Sequence, residues 1–146
     1  MPLIIIDAEQ VKALLPMSKC VNIMEDAMRA YSSKSVSVPP RLIMPLIDDS
    51  GFLGLMPGSS AELGCYGAKV VSLHPANPSR GLPAIQGFVT LFDHESGAPV
   101  AIIEGAEVTD IRTAAASGQL TCLQPQTIRF RANACCSNAP DSRLRA

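Results

Sequence analysis

The chain has 146 residues, with 12 basic and 13 acidic side chains and 47% hydrophobic residues, which is the make-up of one globular domain burying about 70% of its unfolded surface. A formal net charge of −1 argues against a dedicated nucleic-acid binder, because nothing drives phosphate neutralisation across the chain as a whole. The longest apolar runs, Leu3–Ile6 and Pro99–Ile103, fall far short of the roughly 20 residues that cross a bilayer.

Asp7 followed three residues later by Gln10 has the spacing of a capping box, and Val11, Leu14 and Leu15 then make one apolar face of a short helix that Pro16 ends. A second helix is expected from about Ser18, since Val21, Met24, Met28 and Tyr31 recur at spacings of three and four. That Met-rich stripe reads as ordinary core. Ser32–Pro40 is a polar, proline-ended connection. From Arg41 the pattern changes to short apolar runs divided by Gly, Pro and Asp, predicting strands at Arg41–Ile47, Gly51–Met56, Gly67–His74, Gly87–Asp93 and Val100–Ile103. Asp48–Gly51 and His94–Gly97 read as hairpin loops whose glycine takes positive φ. Thr109 is the expected N-cap of a last helix, with Arg112 at its third position and Thr113–Ser117 behind. The fold class is therefore α+β: two N-terminal helices on a mixed, largely antiparallel sheet, followed by a last helix, with no Rossmann fingerprint.

The chain start has no basic n-region or apolar core of signal-peptide type, so a cytoplasmic location is expected. Five cysteines without an export signal favour reduced thiols over a disulfide framework. Charge is uneven along the chain. Residues 1–121 carry eight basic and twelve acidic groups, whereas residues 122–146 carry four arginines against one aspartate, three of the five cysteines and no glycine. The hydrophobic residues of that stretch, Leu123, Ile128, Phe130 and Leu144, fit neither a strand nor a helix period, so it reads as poorly ordered terminal sequence or, as the alternative, a basic arm.

Several chemistries are missing. Neither G-x-G-x-x-G nor G-x-x-x-x-G-K-[ST] occurs, and Gly51, Gly54 and Gly58 are spaced wrongly for either, so no segment is a ready cradle for a pyrophosphate. His74 and His94 lie 20 residues apart with no adjoining ligands, which makes a metal site improbable, and Cys65 is expected to be an inert thiol. What remains is cationic. Arg41, Lys69 and Arg112 sit at the edge of or inside apolar segments, PPRLIMPLI, GAKVVSLH and VTDIRTAAAS. A lysine in the middle of a strand is unusual because its charge must find a partner or water.

Those segments, with GLMPG and YGAKVVSLHPANPSRGLPAIQGFVTLFDHESGAPVAIIEG, resemble the ornithine cyclodeaminase and mu-crystallin family in order and spacing over about residues 1–118. The resemblance implies NAD(P)-dependent chemistry on amino or cyclic imino acids: cyclodeamination of ornithine to proline, reduction of ketimines, or alanine dehydrogenation. It implies two domains, of which residues 1–121 match the substrate-binding and dimerising one, whose sheets join across a two-fold axis. By the same resemblance Arg41, Lys69 and Arg112 grip the substrate's α-carboxylate, Lys69 also being able to move a proton, and Gln86 and Thr113 face the nicotinamide. Arginine offers a planar fork to a carboxylate and lysine a compact charge, which suits the assignment. Gly67, Pro57 and Gly81 are expected to shape turns rather than touch ligand.

The likeness stops near Ser117, close to where the composition changes, so the resemblance implies a fold that ends in a truncated helix with no Rossmann domain. A truncated gene or a reading-frame change is the expectation. The nucleotide-binding half and the family's catalytic aspartate would then be absent, and NAD or NADP would go unbound by this chain. Three readings follow: a truncated family enzyme, a dimeric non-catalytic module for small amino-acid-like anions, or an inactive remnant. A homodimer is expected in each, because sheet edges and a helix face are left bare.

Overall fold

A computed structural model describes residues 2–122. Among these residues three helices and seven strands follow in the order β1 (Ile4–Ile6), α1 (Ala8–Leu14), α2 (Met17–Ser32), β2 (Val36–Ser37), β3 (Leu42–Pro45), β4 (Phe52–Ser60), β5 (Cys65–Leu73), β6 (Ile85–Asp93), β7 (Pro99–Glu104) and α3 (Gly105–Cys122), with a 3-10 turn at Asn77–Arg80. The fold is α+β, as the alternation of helix and strand periods implies. The capping box forms: Asp7 Oδ1 accepts from the Gln10 amide at 2.9 Å, and the Asp7 amide donates to Gln10 Oε1 at 3.0 Å. Pro16 both ends α1 and caps α2, so the second helix starts one residue before the expected Ser18.

The strands make one sheet in the order β1-β7-β6-β5-β4-β2, with β3 also on β4. β1 runs parallel to β7, and the other pairs are antiparallel. β1 is absent from the expected elements. Its three isoleucines pair with Ala101–Ile103 almost a hundred residues away, and that partner is invisible to local periodicity. The register aligns Met56, Lys69, Val89 and Ile103 across four strands, so these side chains share one face. That face carries the helices, and Val11, Cys20, Val71, Ala101 and Ala115 are buried there. The opposite face presents Ile5, Leu42, Leu55, Val70, Phe88 and Ile102, with Ile5 70% and Leu42 56% exposed and no helix among the described residues over it.

Four local expectations change. Thr109 lies inside α3, whose first turn is capped instead by Glu104: its carboxylate accepts from the amides of Ala106 at 2.8 Å and Glu107 at 2.7 Å. In the Asp48–Gly51 loop the left-handed residue is Asp49 (φ 54), because aspartate tolerates that region; Gly51 is glycine because a β-carbon there would stand 2.2 Å from the Leu73 carbonyl oxygen. At the other hairpin Gly97 takes φ 68, as expected. Pro57 and Gly67 sit inside β4 and β5, not at turns. Pro57 falls in the interval between β3 and β2, where its missing N–H is least costly. Finally, the Met-rich stripe of α2 is not closed core: Met24, Met28 and Tyr31 line an open groove against the sheet, while Cys20 on the same helix is buried. The expected change of character in the tail falls, from residue 123, outside the described residues.

Candidate functional site

Lys69 stands at the middle of β5 with Met56 of β4 on one side and Val89 of β6 on the other. Neither side chain offers an oxygen or nitrogen acceptor. The acceptor comes from above the sheet, where Lys69 Nζ donates to Thr109 Oγ1 at 2.5 Å, across 40 residues of sequence. Thr109 in turn donates to the Gly105 carbonyl oxygen at 2.5 Å, one turn earlier in α3. This arrangement is possible because α3 begins on glycine directly over Gly87 of β6: a β-carbon at 105 would stand 2.8 Å from the Gly87 carbonyl carbon.

Arg112 lies one turn past Thr109, at a spacing that places both on the same side of α3. Burial lowers the Lys69 pKa below the ordinary 10.5, and the nearby Arg112 charge lowers it further, whereas Asp110 acts weakly the other way. The structure thus brings Lys69 and Arg112 into one field. Among the described residues, neither of them nor Arg41 has a carboxylate within 4 Å; the ion pairs present are Lys12–Glu107, Arg29–Glu25 and Arg29–Asp26. Arg41 is exposed and immediately precedes β3. Continuing the β3–β4 register by one residue sets it level with Met56 and hence with Lys69, two strands or roughly 10 Å away.

The two expected cofactor residues part company. Thr113 follows Arg112 on α3, four residues after Thr109 and so on the same side of the helix. Gln86 pairs with Ser72, three positions from the Lys69–Val89 pair, and strand alternation puts it on the opposite face of the sheet. The structure does not bring Gln86 to Lys69.

Lys69 also lies at one end of the groove between α2 and the sheet, about 880 Å³, which Met24, Met28, Tyr31, Met56 and Leu63 help to line. Arg112 is not part of that lining. Two places that could cradle a pyrophosphate are already occupied. The amides of Ala106 and Glu107 at the start of α3 are taken by Glu104, and Gly54 and Gly58 are paired residues within β4, so neither segment is a pyrophosphate cradle. Among the described residues there is no cluster of metal-ligating side chains either, and no helix is long and apolar enough to cross a membrane.

Thr109 is the Lys69 contact that reading the sequence misassigns. As an N-cap its side chain would point at its own helix; placed one turn inside, it reaches Lys69. The available signal was its spacing of three from Arg112, which puts both on one side of any helix containing them.

Residues 3–122 match the sequence model of the ornithine cyclodeaminase/mu-crystallin family. An alanine dehydrogenase from Archaeoglobus fulgidus is 33% identical over 118 residues, covering 81% of this chain and 35% of that protein. A delta(1)-pyrroline-2-carboxylate reductase from Bacillus cereus is 31% identical over 119 residues, covering 82% of the chain and 37% of the relative. Among solved structures, the Thermococcus litoralis delta(1)-pyrroline-2-carboxylate reductase in complex with NADH and L-proline superposes with a TM-score of 0.80 at 31% identity, over 84% of this chain and 38% of that one. An archaeal alanine dehydrogenase dimer with bound NAD gives 0.75 at 33% identity, over 81% and 36%. The chain therefore spans little more than a third of the length of the relatives it matches.

Proposed function

Because the chain belongs to the ornithine cyclodeaminase/mu-crystallin family, we propose that it is the substrate-carboxylate part of an NAD(P)-dependent enzyme acting on amino or cyclic imino acids. In this reading residues 1–121 are the substrate-binding and dimerisation domain. Lys69 and Arg112, joined by Arg41, hold the α-carboxylate, and Thr113 faces the cofactor supplied by the rest of such an enzyme. Gln86 is left out, since it lies on the other face of the sheet.

The observation that carries the reading is the pair of cations. Lys69 and Arg112 sit close enough for one to depress the other's proton affinity, and among the described residues neither has a carboxylate partner within 4 Å. Two like charges so placed are relieved by an anion. A carboxylate suits them, because arginine can bind it bidentately while the lysine adds a charge-assisted bond worth roughly 1.5–3 kcal/mol. Lys69, with its lowered pKa, is also the group here best suited to exchange a proton with the substrate.

L-proline is the test ligand, since it appears with the Thermococcus litoralis relative. Calorimetry on this chain should give carboxylate-dependent heat that Lys69→Met weakens about tenfold or more, the factor that corresponds to roughly 1.4 kcal/mol. Unchanged affinity in that variant removes Lys69 from the site and ends the reading.

The non-catalytic alternative has its own support: among the described residues, neither the start of α3 nor the glycines of β4 form a dinucleotide cradle. On that reading the chain by itself is a dimeric module that binds small amino-acid-like anions without turning them over. The bare apolar face, with Ile5, Leu42 and Phe88 exposed, supports the dimer. Oxidation of NADPH by the purified chain in the presence of a cyclic imine would contradict the absence of turnover.

A further inference from the structure

Lys69 has three N–H donors and, in its apolar stretch of sheet, one protein acceptor among the described residues. That acceptor is a hydroxyl whose own hydrogen is already committed. Because Thr109 donates to the Gly105 carbonyl oxygen at 2.5 Å, its oxygen can meet Lys69 only through a lone pair. The branched Thr109 side chain is thereby fixed in rotation, and one N–H of the ammonium is fixed with it. Back-bonding of a helical threonine to the preceding turn is common and needs no function. Here the same hydroxyl also bonds a charge on a strand 40 residues away, over the close seat of Gly105 on Gly87.

We propose that Thr109 is a positioning residue: it pins the Lys69 ammonium through one N–H so that the other two are presented, beside Arg112, to the incoming carboxylate. The inference rests on the carboxylate reading given above and deepens it. Thr109 itself need not touch the ligand. The part a simple cation cluster lacks is the fixed aim: an untethered lysine side chain carries rotamer freedom that binding would have to remove.

The experiment follows Lys69 directly. In this chain, labelled at lysine, the Lys69 resonance is titrated by NMR in the wild type, Thr109→Ser and Thr109→Val, and L-proline affinity is measured for each. The titratable and charged groups facing Lys69 are Arg112 and Asp110 of α3; β4 and β6 offer Met56 and Val89, which do not titrate. Loss of the acceptor disfavours the ammonium, so Thr109→Val should lower the Lys69 pKa further and weaken proline about fivefold to tenfold. Thr109→Ser, which keeps the hydroxyl, should restore both. Thr109→Ala replaces Thr109→Val if circular dichroism shows that the valine chain does not fold. The proposal is overturned if removing the hydroxyl leaves the titration and the affinity unchanged, or if serine behaves like valine. Lys69→Met separates the two claims. If it leaves proline binding intact, the carboxylate reading falls and the positioning role falls with it; if it abolishes binding while Thr109→Val does not weaken it, only the role of Thr109 falls.

Discussion

Gly105, the first residue of α3, rests on Gly87 of β6 so closely that a β-carbon at 105 would stand 2.8 Å from both the carbonyl carbon of Gly87 and the amide nitrogen of Phe88. Both obstacles are backbone, so neither can swing aside. This seat decides how high the helix stands over the sheet, and therefore whether Thr109 can reach Lys69.

Gly105→Ala tests the seat. Overpacking of this kind costs about 1–3 kcal/mol, more than alanine returns by its better helix propensity at a first-turn position. A lower urea midpoint is expected, together with a shift of the Lys69 resonance as α3 lifts. An unchanged midpoint and an unchanged Lys69 signal would show that the contact carries no strain.

Lys69 should make stability depend on pH in the alkaline range. Burial first, and then Arg112, lower its pKa in the native state, so between that lowered value and the ordinary 10.5 the unfolded chain binds more protons than the folded one. Stability therefore rises with pH through this window, and at neutral pH the cost of holding the charge is fully present. Lys69→Met should remove the rise and should not lower the midpoint at pH 7. Urea midpoints for both chains from pH 7 upward measure this, and parallel curves would contradict it.

At the acid end the relevant group is Asp93, whose Oδ1 accepts from Ser96 Oγ at 2.5 Å and from the Ser96 amide at 2.8 Å. The hydroxyl, and after it the amide, lower the carboxyl's pKa below the ordinary 3.8. The sign follows: the contribution of this group is present above pH 3.8 and is lost as pH falls through the native value. Ser96→Ala should move the Asp93 titration upward in a carbon-detected NMR series and flatten the loss of stability in acid. An unmoved titration would mean that the amide alone holds the carboxylate.

The face opposite the helices supplies a test of assembly. Phe88, Leu42 and Ile5 are exposed there at 41%, 56% and 70%, with Leu55, Val70 and Ile102 between them. Sedimentation should give twice the chain mass for the wild type and a shift toward the single chain for Phe88→Glu, because an ion at a covered apolar surface is costly to desolvate. A wild-type chain that stays single at high concentration would remove the proposed dimer.

Local chemistry was legible where it is local. The capping box at Asp7 and Gln10, the left-handed Gly97 and the five strand cores from β3 to β7 all depend on neighbours a few residues away. So does the turn at Asp49, although there the positive φ falls on Asp49 and not on the expected Gly51. β1 escaped because three isoleucines have no periodicity of their own and acquire a place only beside β7. The side of the sheet on which Gln86 lies escaped for a different reason: which face a residue occupies depends on register, and a shift of one position moves it to the other side.

From the order of residues alone came the fold class, the family and the suspicion that a lysine set amid apolar strand neighbours must have a purpose, since burial of a charge without compensation is expensive whatever the surroundings. Folding settled what compensates it. A hydroxyl from one helical turn, an arginine from the next and a glycine seat that lets both approach are separated from Lys69 by about forty positions, and no pattern of spacing encodes a meeting that depends on how a helix is set down on a sheet.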